Sequence, residues 1–319
     1  MVLWLSENDV AEAIRGSVSE LVGQLDRACR SETGWDSHPR IRHALSSGTF
    51  QYMGAVVPEE RAMGIKTYVG SPEFGHQGVV ALFDLDSRKL LSVMAADMLG
   101  RWRTGAASAV AALHLAKRDS VVFGLIGSAR QAETQLAALI SVCEIKRAKV
   151  FARDHDRLAT FCRKAEEEHG ITVVPVRTPR EAVSGSDIVA TATPAREIVL
   201  HGSFIDGPCL VNAVGANHPG QQEVDPDAFR MADLVVVDDL EQAKAECGDL
   251  IQAVGEGAIE WDDVLTLKSV ASGSNSLRTG LSIFESQGIA AWDVIAASFV
   301  YRRCVDRKLG IEVPLKAED

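Results

Sequence analysis

The residues with the clearest chemical grammar lie at 121–136, VVFGLIGSARQAETQL: an apolar stretch, a turn at Gly127, then an amphipathic helix beginning near Gln131. A buried strand that delivers the backbone to such a turn leaves the free N–H groups and positive end of the next helix facing outward, an arrangement suited to a pyrophosphate. In a G-x-G-x-x-A frame the three positions are Gly127, Ala129 and Ala132, so a methyl stands where a second glycine is usual. The following apolar stretch ends in VFARD. It places Ala152 where a ribose-binding carboxylate is expected and Arg153 directly after it. A guanidinium without the carboxylate suits a 2′-phosphate, so NADP(H) is expected ahead of NAD(H).

A second set of candidates is cationic. Lys66 in IKTYV and Arg103 in LGRWRTGAA each sit next to apolar sequence, where a charge without a partner is costly. Arginine grips a carboxylate through a two-pronged fork, and lysine adds a mobile charge and a proton donor. Arg40 and Arg42 lie in a polar, proline-containing segment, and Thr104 opens an alanine-rich helix that it could also cap.

These residues need elements to hold them. VLWL reads as a short strand, followed by a capping signal at 6–9 and helical periodicity through residue 25. Short alternating segments at 49–57, 63–69, 79–85 and 90–95, bounded by turn residues, predict an antiparallel or mixed sheet. A helix is expected over 104–115. After the glycine turn, strands at 147–152, 172–176, 188–192, 209–214 and 234–237 alternate with helices at 157–169 and 179–184, which argues for a parallel sheet. Residues 249–278 read as loop-rich and partly helical, and a last amphipathic helix at 290–303 is expected to return to the N-terminal part. The expected fold class is α/β, a Rossmann-type doubly wound parallel sheet (118–289) with a second α+β substrate and dimerisation domain (1–117 plus 290–319).

Bulk properties narrow the function classes. With 33 Lys+Arg against 44 Asp+Glu the 319-residue chain carries a net charge of −11 and no long basic run, so nucleic acid and anionic membrane are not expected as partners. The six cysteines show no C-x-x-C spacing and the eight histidines no ligand spacing, so no metal site or disulfide framework is expected. The N-terminus lacks the basic start of a signal peptide, and a cytoplasmic location is expected.

The chain resembles the ornithine cyclodeaminase and mu-crystallin family in MGIKTYVGSPEFGHQGVVALFD, RWRTGAASAVAALHLA, GLIGSARQAETQ, SDIVATATP, VNAVGANHPGQQEVD, VVDDLEQAKAECGDL and FESQGIAAWDVIAA, in the family's order and spacing. The resemblance implies a homodimeric NAD(P)-dependent enzyme on amino or imino acids. It implies substrate-carboxylate contacts for Lys66, Arg103 and Arg42, with Arg40 as the neighbouring alternative. Gly288 joins the substrate side. Cofactor contacts are implied for Thr104, Gly127, Ser128, Ala129, Arg130, Gln131, Thr193, Val214 and Ser286, alongside Arg153, with Asn217 near the nicotinamide. His76 falls in a family-like H-Q segment, where it could serve in function or in a structural hydrogen bond.

Two departures shape the expected activity. Asn217 stands where cyclodeaminases have an aspartate, and an amide cannot accept a proton as a general base. Glu285 replaces a lysine of the family's F-K-S-x-G turn. The expectation is therefore an NAD(P)H-dependent reductase of imino acids, cyclic like 1-pyrroline-2-carboxylate or acyclic from a 2-oxo acid and an amine, with Lys66, Arg103 and Asn217 as the catalytic set. The alternatives are an ornithine-type cyclodeaminase with recycled NAD and a non-catalytic ligand-binding protein.

Overall fold

The structure, a computed structural model, describes residues 1–71, 73, 75–273 and 280–315. The chain divides into two compact units, Met1–Arg103 with Ile289–Asp319, and Thr104–Gly288. This division falls inside a helix, between Arg103 and Thr104, rather than after residue 117.

The first unit begins with β1 (Val2–Leu5), α1 (Glu7–Ile14) and α2 (Val18–Arg30), then β2 (Asp36–Ser37), β3 (Ile41–Ala44), β4 (Thr49–Val57), β5 (Ala62–Ser71), β6 (Gly75–Asp84), β7 (Leu90–Ala95) and the start of α3 (Ala96–Leu115). Ser6 caps α1 in a reciprocal capping box with Asp9. The single helix read from the periodicity is two, because the chain turns at Gly16 with φ +69°. Helix α3 starts eight residues before the expected 104. The Glu7 carboxylate supplies the reason: it accepts the backbone N–H groups of Asp97 at 3.0 Å and Met98 at 2.7 Å, a cap delivered from far upstream.

The second unit continues with β8 (Val122–Ile126), α4 (Arg130–Ile140), β9 (Arg147–Phe151), α5 (His155–His169), β10 (Thr172–Pro175), α6 (Pro179–Val183), β11 (Ile188–Thr191), β12 (Cys209–Ala213), α7 (Pro226–Met231), β13 (Leu234–Val237), α8 (Leu240–Glu246), α9 (Gly248–Gly255), β14 (Val264–Thr266), α10 (Leu267–Ser272) and β15 (Leu281–Glu285). The chain then returns to the first unit as α11 (Ala290–Arg307) and β16 (Ile311–Val313).

In the second unit the strand order is β10-β9-β8-β11-β12-β15-β13-β14, every pair parallel. This is the doubly wound sheet the alternating pattern implies. Two strands escaped the pattern. LSIFE forms β15, wholly buried between β12 and β13, and VLT forms β14 within the segment read as loop and helix. Residues 274–279, which include the end of that segment, lie outside the described residues, as do Pro72 and Phe74.

In the first unit the order is β16-β1-β7-β6-β5-β4-β2, with β3 also on β4. Strands β4 to β7 form an antiparallel meander, while β1 joins β7 in parallel. One face of the meander is covered by α11, which packs on β4 and β5 and buries Val294, Ile295 and Ala297. The opposite face leaves Phe50, Ile65 and Val69 exposed, and His43 stacks on Phe50 and Tyr52 there.

Candidate active site

In the first unit a cluster of charge is buried where α11 crosses the sheet. Lys66 on β5 donates from Nζ to Asp293 Oδ1 at 3.1 Å, and Arg103 on α3 donates from Nε to the same oxygen at 3.0 Å. Lys66 is 8% exposed, Arg103 7% and Asp293 1%. Asp293 Oδ2 meets no hydrogen-bond donor among the described residues. Gly100 makes room for the ammonium, since a Cβ there would lie 3.1 Å from Lys66 Nζ. The Tyr68 ring lies 5.4 Å from that nitrogen, and its hydroxyl donates to Gln51 at 2.9 Å.

The electrostatics follow from two cations on one buried oxygen. Burial lowers the Lys66 ammonium to about 8; Asp293 opposes the shift, and the like charges of Arg103 and Arg40 add to it. Burial pushes the Asp293 carboxyl up, but Arg103 and Lys66 outweigh it, so the group stays below its ordinary range. Arg40 is itself buried, and its charge is among the principal influences on Lys66. Arg42, the arginine preferred from spacing, lies on β3 opposite Gln51 and is half-buried. His76 lies on β6 with its ring against Tyr68, centroids 6.0 Å apart.

Asp293 was not singled out from the sequence. Its signal was a lone acid in the first turn of an otherwise apolar helix, AAWDVIAASFV, a charge that burial obliges to find partners.

The second unit carries a cleft of about 630 Å³ at the ends of β8, β9 and β11. Gly127, Ser128 and Ala129 form one wall, Ala152 and Arg153 continue it, and Thr193 faces them. Gly127 sits at φ +119°, and a Cβ there would come within 2.6 Å of the Ala192 carbonyl oxygen, so only glycine fits. Ala129 is extended, with φ −90° and ψ −168°, and holds the N-cap position of α4 with no side-chain acceptor to offer the first turn. Arg130 is the first helical residue, one before the expected start, and Gln131 follows it, half-buried. A positive-φ glycine pressed against backbone and an uncapped helix start on one cleft fit a dinucleotide diphosphate.

The remaining expected residues are distributed around the strand ends. Thr193 Oγ1 accepts from the Ala195 amide at 3.0 Å. Val214 is buried just after β12, and Asn217 is exposed three residues on. Ser286 Oγ and the Gly288 amide both donate to Asp238 Oδ2, at 3.0 and 2.7 Å, so one carboxylate fixes the turn after β15. Thr104, buried, follows Arg103 directly on α3. Asp154, beside Arg153, caps α5 by accepting from the Arg157 amide at 3.0 Å. All six cysteines are free thiols, no described His, Cys, Asp or Glu group is arranged to hold a metal ion, and no described helix is long and apolar enough to cross a membrane.

Comparison with known proteins gives a consistent set of relatives. The model of the ornithine cyclodeaminase/mu-crystallin family matches residues 3–308. The alanine dehydrogenase of Archaeoglobus fulgidus is 35% identical over 259 residues, which cover 78% of this chain and 78% of that protein. Among solved structures, the Thermococcus litoralis Delta(1)-pyrroline-2-carboxylate reductase in complex with NADH and L-proline matches with a TM-score of 0.91 at 29% identity, over 98% of this chain and 100% of that one. An archaeal alanine dehydrogenase dimer with bound NAD matches with a TM-score of 0.90 at 29% identity, over 99% of each.

Proposed function

The chain belongs to the ornithine cyclodeaminase/mu-crystallin family, and we propose that it is an NAD(P)H-dependent reductase that converts an imino acid to an L-amino acid. The observation that carries this reading is the surplus of positive charge in the first unit. Lys66 and Arg103 share one oxygen of Asp293, and Arg40 adds a third cation within electrostatic reach. An incoming carboxylate completes such a cluster, with the Arg103 fork and the Lys66 ammonium as its direct partners. We assign the third contact to Arg40, because it is the buried arginine of its segment and its charge acts on Lys66.

The second unit would hold a reduced nicotinamide, which when bound would provide a hydride for reduction of a C=N carbon. Lys66 supplies the proton that the nitrogen gains: an ammonium lowered to about 8 is still protonated at neutral pH and yields its proton more readily than an ordinary lysine. Asn217 can hydrogen-bond an amine or imine nitrogen but takes no proton, which disfavours the oxidation and ring-closure steps of a cyclodeaminase. Gly127, Ser128, Ala129, Arg130 and Gln131 would hold the diphosphate, with Thr104 and Thr193 as further phosphate contacts. Val214, Ser286 and Gly288 would line the nicotinamide end.

Within this reading we take NADPH as the preferred donor. The cleft carries Arg153 and Arg157 and a methyl at Ala152, while Asp154, one of the two carboxylates that line it, accepts the cap hydrogen bond of α5. The assembly is taken to be a homodimer, supported by the apolar outer face of the meander at Phe50, Ile65 and Val69.

The test is a panel of cyclic imino acids and of 2-oxo acids paired with amines, followed by NADPH and NADH oxidation. Turnover with a pyrroline or piperideine carboxylate, faster with NADPH, is expected. Conversion of ornithine with no net change in reduced cofactor, or no oxidation with any member, overturns the reading.

A further inference from the structure

The second unit buries three carboxylates together, and none of them belongs to the set that touches substrate or dinucleotide. Glu223 is wholly buried; its Oε2 accepts from Thr191 Oγ1 and the Gly215 amide, and its Oε1 from the Thr193 amide, each at 2.8 Å. It therefore ties the loop after β11, which carries Thr193, to the loop after β12, which carries Val214 and Asn217. Asp249 in the first turn of α9 holds Glu223 in turn, its Oδ1 accepting the amides of Glu223 at 2.7 Å and Val224 at 3.0 Å. Glu285, at the end of β15, accepts the Cys247 thiol at 3.4 Å through Oε2.

Two oxygens are left over. Asp249 Oδ2 and Glu285 Oε1 are fully buried, and neither has a hydrogen-bond donor among the described residues. Their side chains are within hydrogen-bond reach of each other. Two carboxylates cannot bond without a proton between them, and with both ionised the pair would bury two like charges in contact. The groups that bear on it are Glu223, Asp238 and Cys247, all acidic, and no lysine or arginine is among the principal influences on either member.

We propose that Glu223, Asp249 and Glu285 are positioning residues for the loops at the nicotinamide end, and that a proton shared between Asp249 and Glu285 holds them together. Burial, with the Glu223 charge adding to it, pushes Asp249 up to about 8, and burial with Asp249 raises Glu285 well above its usual range. A carboxyl raised in the folded state gives stability that is complete below its unfolded value and lost as pH rises through the folded one. The pair therefore gives up a first proton as pH rises toward 8 and the shared one beyond it; stability falls across that range, and the brace under the loops loosens when the shared proton is gone.

The inference rests on the proposed dinucleotide site only for its positioning half. The first experiment needs no cofactor: melting curves of the intact protein and of Glu285→Gln from about pH 6 to pH 9, where each proton retained changes the folding constant by about tenfold per pH unit. The Gln amide donates an N–H to Asp249 that does not titrate, so the variant should lose less stability than wild type across this range. Parallel curves overturn the shared proton. If Glu285→Gln does not fold, Asp249→Asn, which keeps an oxygen for the two amides and turns an N–H toward Glu285, should flatten the profile in the same way. The second experiment measures NADPH and NADH binding to Glu223→Gln, which sets an amide N–H against the backbone donors. A loss of about tenfold or more is expected; unchanged affinity overturns the positioning role. If wild type binds neither dinucleotide, the proposed function falls and the positioning role with it, while the melting curves still decide the proton.

Discussion

Lys66 and Asp293, 227 positions apart in the sequence, form a buried ion pair at 3.1 Å. The pair is not a neutral unit, because Arg103 takes the same oxygen, and the surplus charge is the ground for proposing that the cluster receives an anion.

Removing the shared anion should be costly. Asp293→Asn leaves two buried cations facing each other and is expected to destabilise the protein by about 3–5 kcal/mol, read as a fall in Tm. It should also lower the Lys66 ammonium further, moving the pH profile of reduction to lower pH. An unchanged Tm would mean that the cations find compensation elsewhere.

The ammonium sets a pH limb. Reduction should weaken as pH rises through about 8 and Lys66 loses its proton, while the reverse oxidation gains. Lys66→Met should lower kcat by about a hundredfold or more and abolish this limb. Stability runs the other way: a lysine whose folded pKa lies below its ordinary value of 10.5 binds fewer protons than the unfolded chain between about 8 and 10.5, so its contribution to stability improves with pH there. Retention of the limb in the methionine variant would move the proton donor to another group.

The proposed preference for NADPH rests on the Arg153 guanidinium. Loss of a charged hydrogen bond worth about 1.5–3 kcal/mol predicts that Arg153→Ala weakens NADPH by roughly tenfold to a hundredfold. NADH, which has no 2′-phosphate, should change by less than about twofold. Equal losses for the two would remove the 2′-phosphate assignment.

The phosphate turn makes opposite demands at its two small residues. Gly127→Ala forces a Cβ against the Ala192 carbonyl at φ +119° and should cost about 1–3 kcal/mol of stability and most dinucleotide binding. Ala129→Gly should change affinity only a few-fold, because Ala129 is extended and needs no glycine. Titration of both variants with NADPH checks the contrast.

Much of this architecture was legible because its signals are local. The glycine turn, the Ser6 cap and the strand–helix alternation of the second unit each depend on neighbours within a few residues, and they stand where the sequence places them. The start of α3 was not legible, since ADMLGRWR contains a glycine and its cap, Glu7, comes from 90 positions away. LSIFE lies outside the strand–helix alternation that marks its neighbours and declares itself a strand only when β12 and β13 close on it. Asp293, Glu223 and Asp249 read as ordinary acids, and burial, which tertiary packing alone decides, gives them their weight. The same holds for the choice between Arg40 and Arg42, two positions apart on the chain but differently buried.

The return of α11 to the first unit also bears on how the protein is made. Lys66 leaves the ribosome 227 residues ahead of the carboxylate that neutralises it, which at about 5–20 residues per second is a wait of roughly ten to forty-five seconds. By then all of Thr104–Gly288, which forms a compact unit of its own in the finished fold, has been synthesised. The unit whose synthesis begins first is thus finished last, and until α11 emerges its sheet exposes an apolar face and an uncompensated cation to whatever the cell offers as an escort.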